Sequence, residues 1–159
     1  MDQFAFNGTI YGPNSHIIRI DAVSLTGVRS LSFSDARTRA LVFGSKRDGT
    51  PLGKTAGQYN PGEASLKVLR ATADQITTYL TPIGAGSYGD ASFTLLVQVI
   101  EPDSTAAPQT TVLSSCHITG VSEDYNNTDE VSETTFTIQP ESISRNGKVL
   151  YSLVRKLTV

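Results

Sequence analysis

Residues 27–37, GVRSLSFSDAR, alternate one to one: Ser30, Ser32 and Ser34 fall on one side, Leu31 and Phe33 on the other. A period of two belongs to an extended strand with one buried and one solvated face, and a helix cannot sort these residues that way. A chain that repeats this pattern must build sheets. Composition agrees: the chain holds 17 Ser and 19 Thr, while charged residues make up only 18%. Its polar surface is therefore largely hydroxyl, and Thr favours extended backbone.

Further extended stretches follow. HIIRI (16–20) is short and β-branched, and ALVFG (40–44) and ASLKVL (64–69) are compact apolar runs. SFTLLVQVIE (92–101) is the most apolar and is predicted to be central. TTVLSSCHITGVSED (110–124) is long, with a bend expected at Gly120, and EVSETTFTIQP (130–140) sets Phe136 and Ile138 against Thr135 and Thr137. Asn146-Gly147 marks a tight turn. VLYSLVRKLTV closes the chain as a strand or an extended tail.

One helix is predicted, over about residues 72–81. Thr72 and Gln75 form a capping box, with Asp74 expected in the first turn. Ile76, Tyr79 and Leu80 share a face, and Pro82 and Gly84 end the element. The expectation is one mainly β domain over residues 1–159, a small barrel or sandwich of seven or eight strands with a flanking helix.

Between the early strands lies SKRDGTPLGKTAGQYNPGE (45–63), which has no periodic apolar face. It reads as a long projecting loop or hairpin, and a stretch of this length in a small domain tends to be functional. Its segment DGTPLGKT (48–55) superficially matches a phosphate-binding loop. The spacing fails, because the position five residues before Gly53 is Asp48, and no helix can start cleanly in AGQYNPGE. Gly49, Gly53 and Gly57 are read instead as backbone freedom for a bent loop.

Other chemistry is excluded on similar grounds. Net charge is −2, so no basic excess drives binding to a phosphate backbone. Cys116 is the one cysteine, which rules out an intrachain disulfide and fits a reducing compartment. Cys116-His117 lacks the recurring spacing of a metal site and reads as a small buried thiol beside an outward imidazole. The acidic stretch SEDYNNTDEVSE has no central Gly for a calcium loop. No nucleophile elbow occurs, and no apolar run approaches the roughly 20 residues of a membrane helix. No catalytic residue, metal or cofactor is expected. The start MDQFAFNGTIYG has no basic-then-apolar leader pattern, so none is expected there.

The order of elements resembles a known family. GVRSLSFSDARTRALVFGSKRDGTPLGKTAGQY, then GEASLKVLRATADQITTYL, then an apolar strand, CHITGVSED and SISRNGK follow the order of the tail-tube proteins of contractile-tailed bacteriophages, from about residue 16 to 150. The resemblance implies a small β-barrel or sandwich with one helix, shared with the tube protein of type VI secretion systems. It implies six-copy rings stacked into a hollow tube inside a sheath, conducting DNA into a host cell. The implied partners are other copies of the chain, sheath, tape measure, baseplate and tail terminator proteins, with non-specific passage of DNA. The implied location is the virion, after assembly in the host cytoplasm. A phage-like bacteriocin or type VI-like particle is the alternative context, and a small-molecule-binding barrel or enzyme the alternative class.

The loop 45–63 would then be the stacking element. Arg37, Arg39, Lys46, Arg47 and Lys54 lie in or beside it, and Glu123, Asp124, Asp129, Glu130 and Glu133 are expected to meet them across a subunit or ring boundary. Ser30, Ser32, Ser34, Thr135 and Thr137 are the candidates to line the channel.

Overall fold

The computed structural model describes residues 16–45, 47–55, 57–100, 107–125 and 132–150. Thirteen strands occur among them: β1 (His16–Ile20), β2 (Val23–Ser24), β3 (Val28–Ser32), β4 (Asp35–Thr38), β5 (Leu41–Val42), β6 (Gly53–Lys54), β7 (Gln58–Pro61), β8 (Ala64–Leu69), β9 (Phe93–Val99), β10 (Gln109–Asp124), β11 (Glu133–Gln139), β12 (Ser142–Arg145) and β13 (Lys148–Val149). One helix, α1 (Arg70–Ile83), separates β8 from β9. The excess over seven or eight strands comes from short pieces, because what reads as one strand over 27–37 is broken after Ser32.

Nine strands form one antiparallel sheet in the order β2-β1-β9-β10-β11-β8-β3, with β12 paired to β10 and β13 to β12. Among the described residues this path is open at β2 and β3, so it does not close into a barrel. The apolar strand β9 sits inside it, as predicted. Strand β10 serves two neighbourhoods. Its first half pairs with β9 and β12, and its second half with β11. The change falls near Ser115, whose φ of 50° lies in the left-handed region, and the register slips between Leu113 and Cys116. A second slip between Ile118 and Gly120 places the expected bend.

Alternation then sorts the side chains. Leu66, Val68, Leu95, Leu113, Cys116, Phe136, Ile138 and Ile143 are buried in one core. Helix α1 closes over it with Thr72, Ala73, Ile76 and Leu80. The helix begins two residues before the predicted start. Leu69 is its N-cap without a side-chain cap bond, and Thr72 turns inward to donate its hydroxyl to the Thr26 carbonyl. Asp74 lies beyond the first turn and pairs with Arg70 at 3.7 Å. Pro82 falls inside the last turn, and Gly84 ends the helix with its N–H on Leu80 O at 3.0 Å.

Candidate assembly site

The segment 45–63 is part of a longer projection. Strand β4 pairs with β7 and β5 with β6, so the described residues between 35 and 61 form a two-stranded ribbon continuing the β3–β8 pair beyond the large sheet. The ribbon bends twice. Between Ser32↔Ser65 and Asp35↔Pro61, and again between Thr38↔Gln58 and Leu41↔Lys54, the returning chain carries one residue more than the outgoing chain. Such an extra residue bends and twists a ribbon. A glycine sits at each point. A Cβ at Gly62 would lie 2.7 Å from Ser34 Oγ, and one at Gly57, where φ is 83°, would lie 2.0 Å from Thr38 O. Gly53, in contrast, lies in β6 with ordinary backbone.

The far end of the ribbon is apolar and solvated. Leu41, Val42, Phe43 and Leu52 are 47, 45, 62 and 56% exposed. The tip is shaped by Asp48, whose Oδ1 accepts from Thr50 N at 3.1 Å and Thr50 Oγ1 at 2.8 Å. The phosphate-loop resemblance therefore has a local structural cause, an Asp-capped turn leading into β6. Arg39, Arg47 and Lys54 are exposed along the ribbon and Arg37 is half-buried. Lys46, Asp129 and Glu130 lie outside the described residues.

The described carboxylates expected to meet these cations on another copy lie at the ends of β10 and β11. Glu133 Oε1 takes Arg29 Nε at 3.1 Å and Oε2 takes Lys67 Nζ at 3.1 Å. The bond from Lys67, with Arg29 beside it, holds the Glu133 carboxyl below its usual range. Glu123 pairs with Arg70 and accepts from Tyr125 OH at 2.6 Å. Asp124 is exposed opposite Glu133. Within one chain, Glu123 and Glu133 are neutralised by cations of β3, β8 and α1 rather than by the ribbon.

The expected channel residues are brought together. Pairing aligns Ser30, Lys67, Thr135 and Ser122 in one row across β3, β8, β11 and β10, and Ser32, Ser65, Thr137 and Gly120 in the next. Leu31 pairs with Leu66 on the opposite, inward face. Ser34 lies past the end of β3, at the ribbon's base, where its carbonyl accepts from Gly62 N at 2.8 Å. The result is one polar face of small hydroxyl residues, with Lys67 and Glu133 paired on it and Asp124 exposed opposite Glu133.

An apolar cavity of about 650 Å³ opens between β1 and β9 on one side and β3 on the other, lined by Ile18, Leu25, Val28, Leu31, Phe33 and Val97 among others. Its described lining includes His16 and Arg29 but no carboxylate. Among the described residues no three His, Cys, Asp or Glu side chains gather to hold a metal. No helix of the described residues is long and apolar enough to cross a membrane. Cys116 is buried, donates to Leu113 O at 3.2 Å, and has its thiol pushed up to about 11 by burial.

Fold and projection together define the architecture: an antiparallel sheet with one α-helix and an apolar-tipped arm. In particular, its fold is similar to that of chains in several solved structures. It matches a chain of the anti-feeding prophage tube-terminating cap with TM-score 0.66 and 11% identity, covering 91% of this chain and 95% of that one. It matches Hcp1 of Flavobacterium johnsoniae with TM-score 0.56 and 16% identity over 86% and 98% of the two chains. A chain of the native gene transfer agent virion matches with TM-score 0.54 and 16% identity over 86% and 99%. No protein-family model matches the chain, and no curated protein matches it in sequence.

Proposed function

We propose that this chain is a structural subunit that assembles with copies of itself into rings and stacks them into the hollow inner tube of a contractile phage tail. The observation that carries the proposal is the ribbon 35–61, which holds four solvated apolar side chains away from the subunit core. An apolar patch on such an arm marks a contact with another macromolecule, and solved structures sharing this fold include a tube-terminating cap and a sheath-tube complex. In this scheme Leu41, Val42, Phe43 and Leu52 dock on the next ring. Arg37, Arg39, Lys46, Arg47 and Lys54 flank that contact and set its register against acidic groups there, Asp124, Asp129 and Glu130 included, since Glu123 and Glu133 already have partners in their own chain.

The hydroxyl face carrying Ser30, Ser32, Thr135 and Thr137 would line the channel. Small polar groups with paired charges let DNA pass without holding it. Six copies per ring, the sheath, tape measure, baseplate and terminator partners, and a place in the virion belong to the same proposal. A second context, the tube of a phage-like bacteriocin or a type VI-like secretion particle, draws support from the likeness in fold to an anti-feeding prophage cap and to an extracellular contractile injection system.

Negative-stain electron microscopy of the purified chain over a concentration series tests the proposal. Rings or tubes with an open centre are expected. A chain that stays monomeric at the highest soluble concentration would overturn it.

A further inference from the structure

We infer that Asp35, Tyr59 and Arg145 form a joint that sets the angle at which the ribbon leaves the sheet, and that this joint controls end-to-end assembly. The second half rests on the proposal that the ribbon tip docks on another copy.

The joint sits where the ribbon meets the corner between β11 and β12. Asp35, the first residue of β4, places Oδ1 2.9 Å from Arg145 Nη2 at the end of β12. Its other oxygen accepts from Tyr59 OH at 3.0 Å. That hydroxyl in turn accepts from the Ile143 backbone N–H at 3.1 Å. The Arg145 guanidinium also lies over the Phe33 ring, 5.7 Å from its centroid. Nearby, Gln139 Nε2 donates to Pro61 O at 3.0 Å. The Asp35 side chain is only 5% exposed although it belongs to an otherwise solvated projection.

This arrangement answers a mechanical need. A two-stranded ribbon has little stability of its own, and the bulge between Ser32 and Asp35 interrupts the backbone ladder at its root. Backbone pairing alone would let the arm swing there. The links from Asp35 and Tyr59 reach residues more than 80 positions away in sequence, so they tie both ribbon strands to a different part of the sheet. An arm fixed in advance loses less freedom when its tip docks.

The test uses the full chain with Asp35→Asn and, as a gentler variant that keeps the ring and the fold, Tyr59→Phe. Amide hydrogen exchange is read in β4 and β7 and, as a control, in β9 and β10. Polymer is read by sedimentation and electron microscopy. Both variants are expected to speed exchange in β4 and β7 at least tenfold, to leave β9 and β10 protected, and to raise the concentration needed for polymer several-fold. Unchanged exchange in β4 and β7 in both variants would overturn the joint. Faster exchange with unchanged polymerisation would overturn its role in assembly. If the unaltered chain does not polymerise, the docking proposal fails, and the joint is then decided by exchange alone.

Discussion

Gly57 lies so close to Thr38 that a Cβ on it would sit 2.0 Å from the Thr38 carbonyl oxygen. The backbone at Gly57 is also left-handed, with φ of 83°. Gly57→Ala should therefore cost about 1–2 kcal/mol from the backbone conformation alone, with the clash added. The cost should stay within the ribbon. Exchange of the Thr55 amide, which bonds Ala40 O at 2.8 Å, is expected to accelerate while β10 stays protected. An unchanged ribbon in Gly57→Ala would refute this account of the bend.

Phe43→Ser and Leu52→Ser should leave the monomer folded, because both side chains are mostly solvated. If they bury on docking, each change removes roughly 1.5–3 kcal/mol per contact, which is about tenfold or more in affinity. Sedimentation should show a higher concentration threshold for polymer, with an unaltered melting temperature. Equal polymer yields for variant and parent would remove the tip from the interface.

Phe136 is 1% exposed in the core, packed on β11 between β10 and β8. Phe136→Ala should destabilise the subunit by about 3–5 kcal/mol, measured by urea titration. A cost below about 1 kcal/mol would place Phe136 outside the core.

Asp35 has its carboxyl lowered, first by the bond from Arg145 and further by Tyr59, against the opposing effect of burial. A lowered folded-state pKa means that the contribution is present above the unfolded value of about 4 and is lost as pH falls through the folded value. Stability should thus decline below about pH 4, and Asp35→Asn should flatten part of that decline. Superimposable pH profiles for the two proteins would show that Asp35 contributes no pH dependence.

Burial has pushed the Cys116 thiol up to about 11, and the thiolate is the reactive form. The native chain at pH 8 is expected to resist iodoacetamide and to react once unfolded in urea. Rapid native alkylation would contradict the buried position.

Local pattern made much of this fold legible. The strand ASLKVL was read over the residues it occupies, and the alternation of Phe136 and Ile138 against Thr135 and Thr137 described both faces of β11. The hydroxyl groups of Ser30 and Thr135 could be assigned to polar faces one strand at a time; only pairing places them in one row. The break at Ser32 leaves no mark in the sequence because a bulge is a relation between two strands, and the alternation of 27–37 runs through it. The helix starts ahead of Thr72, and a distant acceptor, Thr26 O, takes the hydroxyl that a local cap would use. The ion pairs of Glu133 join residues 66 and 104 positions apart, a distance that spacing rules do not reach. The apolar tip did carry a signal, since Val42 and Phe43 directly precede a Gly- and Pro-rich stretch, where strand residues have no wall to cover them.

Strand β10 is the seam of the molecule, because its 16 residues are stitched to β9 and β12 along one half and to β11 along the other. Neither half of the sheet can peel away without undoing it. A tug on the arm, relayed from β8 through β11, reaches this shared thread before either half can yield alone, so a strained subunit should hold or give way as a whole.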